Sequence, residues 1–203
     1  MVVPSEAQQQ GSHLAVLSRK EILEYLDSGK LKIEPKPDPD TSIEQISIDL
    51  HLGRRFTIYK KKPSWIGALK VDSSLWEADL WEEKDQDQFI LGPGNFVLAQ
   101  TMERVTLPND LAGLVEGRSS WARTGVSVHV TAPKIDPEFS AVIALEMTNL
   151  SPYDIILQAE KDKPCQLILF TLTSPIEPKD AYGTKKTHTF QGQESALPRQ
   201  TSS

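Results

Sequence analysis

From Ile46 onward the chain is cut into short apolar runs by Gly, Pro and Asp, and that punctuation leaves little room for long helices. Ile46, Ile48, Leu50 and Leu52 alternate with Ser47, Asp49 and His51, the period of a half-buried strand. Phe89–Leu91 leads into the turn Gly92-Pro93-Gly94, after which Phe96–Gln100 and Val105–Leu107 read as two more strands. Further strands are expected at Val126–Val130, Val142–Met147, Ile155–Leu157 and Gln166–Leu172. Short strands joined by tight turns predict a mostly β protein, an antiparallel sandwich or barrel.

The N-terminal part departs from this pattern. Ser18 with Glu21 forms a capping box, Ile22, Leu23 and Leu26 make an apolar stripe, and Gly29 supplies the stop, so a short helix is predicted here. Residues 1–15 read as a polar, disordered tail, and Glu34–Asp40, rich in Pro and Asp, as a loop. Ser64–Gln88 has no clean period and reads as a solvated excursion that Trp65, Trp76 and Trp81 pin to the domain. A β domain is therefore expected over 16–175, with 176–203 a lid or tail that is disordered or ordered only by a ligand or a neighbour.

With 203 residues the chain has room for one sizeable domain. No apolar run approaches the roughly 20 residues of a membrane helix, and no signal peptide opens the chain, so no membrane partner and a cytoplasmic location are expected. The net charge of -6 argues against a nucleic-acid surface, although a local Arg cluster can still hold a small polyanion. Cys165 is the only cysteine, which excludes an intrachain disulfide and any multi-cysteine metal site.

Two places carry chemistry. Gly117-Arg118-Ser119-Ser120-Trp121-Ala122-Arg123 offers guanidiniums and hydroxyls beside a glycine, donors suited to phosphate oxygens; solvated charges at a helix start would look the same. In Val142–Met147 the alternation puts Ile143, Leu145 and Met147 on one face. Glu146 falls on the other with Val142 and Ala144, whose small size leaves room for a carboxylate used in proton transfer. An exposed Glu on the wet side of a sheet fits that pattern equally well.

Taken in order, the motifs resemble the dCTP deaminases of the trimeric dUTPase-like superfamily over roughly residues 17–193. The matching pieces are Leu17-Ser18, Ser47-Ile48-Asp49-Leu50 with Leu52-Gly53, Leu107-Pro108, Gly117-Arg118-Ser119-Ser120 to Arg123, and Thr131-Ala132. Ile135-Asp136-Pro137, Leu145-Glu146, Asn149, Gln166-Leu167 and Tyr182-Gly183 to Gln191-Gly192-Gln193 complete the set. The resemblance implies a homotrimer with a dUTPase-like β-sandwich or barrel that deaminates dCTP to dUTP and ammonia. It assigns proton relay to Glu146, with Ser119 and Arg123 positioning the water. Arg118 and Ser120 would hold phosphates, and the Thr131–Ala132 backbone would read the pyrimidine edge. Asp136 would lie by the deoxyribose and Tyr182 would stack on it, with Gln193 and Lys134 in the same binding set, Lys134 as an ion-pair partner. Mg2+ would arrive on the triphosphate. Each site would draw Arg118 and Ser120 from one subunit and Glu146 from another. The segment His129–Ala132 resembles the part of the family linked to feedback inhibition by dTTP, and His129 is expected in a strand in a structural role.

Zinc is excluded on separate grounds. Zinc deaminases require H-x-E with P-C-x-x-C, and none of His13, His51, His129 or His188 has Glu two positions on, while Cys165 has no second cysteine.

The chain also departs from the family. Thr189 stands where a lysine usually reaches the triphosphate, with Lys185 and Lys186 nearby; Glu138, Ala141 and Cys165 stand where glycine is usual. Ala122 and His129-Val130 resemble the monofunctional branch, which makes dUTP the expected product. The alternatives are a bifunctional enzyme releasing dUMP and pyrophosphate, and an inactive nucleotide-binding sensor.

Overall fold

Alternating burial organises the long strands. In a computed structural model describing residues 15–60, 80–182, 184, 193, 194 and 196, strand β11 (Ser140–Asn149) buries every second side chain without a break. Its elements run β1 (Ala15–Val16), α1 (Arg19–Asp27), β2 (Lys32–Glu34), α2 (Pro39–Ser42), β3 (Ser47–Leu50), β4 (Arg55–Tyr59), β5 (Trp81–Asp85), β6 (Gln88–Leu91) and β7 (Phe96–Thr106). Then come β8 (Leu111–Gly117), α3 (Ser119–Ala122), β9 (Val126–Ser127), β10 (Lys134–Ile135), β11, β12 (Ile155–Gln158), β13 (Cys165–Thr171) and a 3-10 turn at Pro178–Asp180.

One antiparallel sheet has the order β1-β13-β8-β10, with β3 also paired to β13; the other has the order β5-β4-β7-β11-β9, with β2 paired to β7. Strands β6 and β12, distant in sequence, pair antiparallel as a small third sheet. Ile48, Leu167 and Leu169 of the first sheet share one buried cluster with Val97, Ala99 and Leu145 of the second, so the two sheets close over a common core. Ile22 and Leu26 turn the buried stripe of α1 onto the same cluster, and the Glu21 carboxylate accepts from the Ser18 N–H and hydroxyl, both at 2.8 Å. Gly29 ends the helix at φ 73°, where a side chain would be strained.

The mostly β, antiparallel expectation holds, and several boundaries are corrected. The stretch read as a loop at Glu34–Asp40 gives its first residue to β2, and its end starts α2, where the Asp38 carboxylate caps the Asp40 and Thr41 N–H groups at 2.8 and 3.0 Å. The strand read as half-buried is buried along all four residues of β3, because Ser47 and Asp49 find partners inside: Ser47 Oγ donates to Gln166 Oε1 at 2.9 Å, and Asp49 pairs with Arg118.

The two strands read at 96–100 and 105–107 are one, β7. Thr101 and Glu103 between them are buried rather than in a turn: Thr101 Oγ1 accepts from Ile143 N–H at 3.0 Å and donates to Glu103 O at 2.8 Å. The Glu103 carboxylate accepts from His51 N–H at 2.9 Å and sits 2.6 Å from His51 Nδ1; burial pushes it up, against the opposing effect of the imidazole. Here the ladder to β11 shifts register, between Val142 and Ala144.

Residues 64–79 lie outside the described set, but β5 shows that the excursion ends in a strand, with Trp81 buried and stacked on Tyr59 at 3.9 Å. Strands β4 and β8 were not legible in advance. In β8, Gly113 takes the place of an apolar side chain, since a Cβ there would meet Leu167 Cδ1 at 2.9 Å. Val126–Val130 contributes only Val126–Ser127 as strand, so His129 lies beyond it in irregular backbone. Among the described residues no helix is long and apolar enough to cross a membrane.

Candidate active site

Strand β11 delivers Glu146 as its alternation requires. Ile143, Leu145 and Met147 are in the core, while Val142, Ala144 and Glu146 are half-buried on the opposite face. Ala144 and Glu146 line a pocket of about 210 Å³, walled on its apolar side by Leu98, Ile143 and Ala196. The irregular segment after β9 crosses the pocket, and there Val130 N–H donates to Glu146 Oε2 at 3.2 Å. The carboxylate is thus tied to the segment holding His129 and Ala132, which also line the cavity. His129 Nε2 lies 3.3 Å from Glu116 Oε2, and its Nδ1 is buried with no hydrogen-bond partner among the described residues.

The far wall belongs to β10 and the turn after it. Lys134 Nζ donates to Asp136 Oδ1 at 2.6 Å, the ion pair expected of Lys134, and both residues line the pocket. The Asp136–Phe139 turn places Glu138 at φ 62°, so the position where glycine is usual is indeed a left-handed one. Ala141 is fully buried within β11 and paired to Val105, and Cys165 is fully buried in β13; neither is among the non-glycine residues with positive φ. Burial pushes the Cys165 thiol up, consistent with a small apolar core residue.

Tyr182 closes the cavity over Phe139, ring centres 6.2 Å apart. Gln193 is 4% exposed; its Nε2 donates to Val142 O at 3.2 Å, and its Oε1 is buried without a partner among the described residues. Arg55 Nη1 donates to Glu194 O at 3.1 Å. At Gln193, Glu194 and Ala196 the tail packs on its own chain. Thr189, Lys185 and Lys186 lie outside the described residues.

The pocket therefore gathers Glu146, Ala132, Lys134, Asp136, Tyr182 and Gln193. It does not gather Arg118, Ser119, Ser120, Arg123 or Thr131. Ser119, Ser120 and Arg123 are exposed on the single turn of α3, and Thr131 is exposed beside the pocket. Arg118, the N-cap of that turn, points elsewhere: its Nε is 3.0 Å from Asp49 Oδ2 and its Nη1 donates to Lys163 O at 3.3 Å.

Asp49 and Gln166 belong to the matching motifs with no role implied for either, and the structure joins both to the Arg118 turn. Gln166 accepts from Ser47 Oγ, and its Nε2 donates to Gly117 O at 3.4 Å. The sequence signal was an acid set between Ile48 and Leu50, read by period alone as facing water. Among the described residues no group of three or more His, Cys, Asp or Glu stands ready to hold a metal ion.

A family model described as dCTP deaminase-like matches residues 16–172. A Streptomyces coelicolor protein named "dCTP deaminase, dUMP-forming" is 40% identical over 186 residues, 88% of this chain and 91% of that protein. Proteins of the same name from Halobacterium salinarum and Methanosphaera stadtmanae are each 39% identical, over 88% and 81% of this chain and 91% and 83% of their own length. Among solved structures, the 2'-deoxycytidine 5'-triphosphate deaminase of Agrobacterium tumefaciens has a similar fold, with a TM-score of 0.61 and 20% identity over 78% of this chain and 48% of that one. The chain belongs to the dCTP deaminase-like family.

Proposed function

We propose that this protein deaminates dCTP hydrolytically and carries the product on to dUMP and pyrophosphate. The observation that supports it most is Glu146, held by Val130 N–H in a cavity that also contains Ala132, Asp136 and Tyr182. Relatives at about 40% identity are named for forming dUMP, which favours the two-step product over the dUTP expected from Ala122 and His129-Val130.

The chemistry places a water against C4 of the cytosine. Glu146 takes a proton from that water as the C4–O bond forms and passes it to N3. It then takes the proton of the new C4 hydroxyl and gives it to the amino group, so that C4–N cleavage releases ammonia and leaves the C4 carbonyl of uracil. Ser119 and Arg123 position the water, the Thr131–Ala132 backbone reads the ring edge, and Asp136 and Tyr182 hold the sugar. A second water then attacks the α-phosphorus, and the bond to the β-phosphate oxygen breaks to give dUMP and pyrophosphate. Arg118 and Ser120 grip the phosphates. Mg2+ carried by the triphosphate neutralises phosphate charge; the guanidinium and hydroxyl groups of the Arg118 turn suit phosphate oxygens, and no protein cage is needed for the ion.

A pocket of about 210 Å³ is smaller than the roughly 300–1,000 Å³ usual for whole small-molecule ligands. That size, and the position of Arg118, Ser119, Ser120 and Arg123 outside the pocket, support a site shared between subunits of a homotrimer, in which one subunit brings Glu146 and its neighbour brings the turn that carries Ser119, Arg123 and the phosphate donors.

Incubating the pure protein with Mg-dCTP and separating the products by ion exchange tests the assignment. Ammonia, dUMP and pyrophosphate should accumulate in equal amounts. Accumulating dUTP would return the protein to the monofunctional alternative, and binding without ammonia release would make it a sensor. Adding dTTP to the same assay shows whether dTTP inhibits turnover, as the resemblance of the His129–Ala132 segment implies.

A further inference from the structure

We propose that Asp49 is a positioning residue for the polyphosphate: its buried carboxylate fixes the guanidinium of Arg118 in the orientation that grips phosphate. The proposal rests on the assignment of Arg118 as a phosphate anchor.

The Asp49 side chain is 3% exposed, and its partner at 3.0 Å is Arg118 Nε. Burial pushes the carboxyl up, and the neighbouring guanidinium pulls it back down. Lys163, the other cation nearby, is committed elsewhere, its ammonium donating to Thr41 O at 2.8 Å and Ser42 Oγ at 2.9 Å.

Both ends of Arg118 are held. Its N–H donates to Pro164 O at 3.0 Å, its carbonyl accepts from Trp121 and Ala122 N–H to start α3, and its Nη1 donates to Lys163 O. The side chain is nevertheless 35% exposed, so the rest of its five donors have an open edge.

A buried ion pair is a poor way to gain stability, since well-packed apolar residues of similar volume serve as well or better. Holding one at the start of the turn that carries Ser119 and Ser120 makes sense if the arginine must be aimed. A guanidinium already fixed by a carboxylate loses less rotamer freedom when a phosphate arrives. Gln166 supports the same turn from the adjacent strand, through Ser47 Oγ and Gly117 O.

The test is calorimetric titration of Mg-dCTP and of dCMP into protein carrying Glu146→Gln to prevent turnover, alone and combined with Asp49→Asn, Arg118→Ala or both. Arg118→Ala and Asp49→Asn should each weaken dCTP binding by about tenfold, the size of one lost charge-assisted contact, while dCMP binding changes less than about twofold. The combined variant should be no weaker than Arg118→Ala alone, because the carboxylate acts through the arginine. A purely structural role would weaken both nucleotides together and leave their ratio unchanged, which would overturn the proposal. So would tenfold losses that multiply in the combined variant. If Arg118→Ala leaves dCTP affinity intact, the anchor assignment itself is wrong and the proposal goes with it; if only Asp49→Asn is silent, the anchor stands and the positioning role does not. Should Asp49→Asn fail to fold, Asp49→Glu takes its place. It keeps the charge but displaces it, and must lower the dCTP-to-dCMP preference for the proposal to stand.

Discussion

At the scale of single residues, Glu146 and Glu138 show what a sequence pattern can and cannot deliver. Period-two alternation in Val142–Met147 places Glu146 on the face opposite the core, because nothing interrupts β11 there. The same rule misplaced Asp49, since it cannot anticipate a cation arriving from the end of β8 to meet a buried carboxylate. Glu138 was legible as a departure from glycine, and its φ of 62° explains why glycine suits the position. Removing the Cβ should relieve left-handed strain, so Glu138→Gly is expected to stabilise the protein by about 0.5–1 kcal/mol in urea denaturation. A loss of stability would mean that the contacts of the Glu138 side chain outweigh the strain.

At the scale of elements, helix α1 was readable because its signals are local: a Ser–Glu pair, an apolar stripe and a glycine. Breaking the reciprocal contacts at its start with Ser18→Ala should cost about 1 kcal/mol, measured by chemical denaturation. The helix is also fastened to the β7–β8 turn by Tyr25, whose hydroxyl donates to Asp110 Oδ2 at 3.1 Å. Burial, with the adjacent Asp110 carboxylate, pushes the Tyr25 phenol up to about 12. A phenol raised above its ordinary value of about 10 keeps its proton longer in the folded state. Its contribution is therefore complete below pH 10 and is lost as pH rises towards 12. Tyr25→Phe should cost about 1 kcal/mol at neutral pH, and the gap to wild type should narrow between pH 10 and 12. A gap independent of pH would contradict this. Strands β4 and β8 were hidden for the opposite reason: their pairings are long-range, and Gly113 removes an apolar marker from β8 where Leu167 needs the space.

At the scale of the whole molecule, the Glu146 pocket and the Arg118 turn are two groups of candidate site residues that the fold of one chain does not bring into one cavity. The Glu146 pocket is walled by strands of both sheets, and the Arg118 turn leaves the end of β8 outside it. The ordered motifs singled out both groups of residues, whereas their division between surfaces follows from three-dimensional topology and could not be read from spacing. If neighbouring subunits complete each site, two crippled variants should rescue each other. Arg118→Ala and Glu146→Gln subunits, unfolded together in equal amounts and refolded, should recover about a quarter of wild-type activity at low dCTP, the fraction of random interfaces with both groups intact. No recovery would place a complete site within one subunit.

The proposed deamination depends first on the carboxylate of Glu146, and ammonia release from Mg-dCTP measures it most directly. Wild-type protein should liberate ammonia, and Glu146→Gln should be slower by about 10²- to 10⁴-fold while still binding dCTP, the loss expected when a proton-transferring group is removed. Ammonia released by the variant at the wild-type rate would contradict the mechanism.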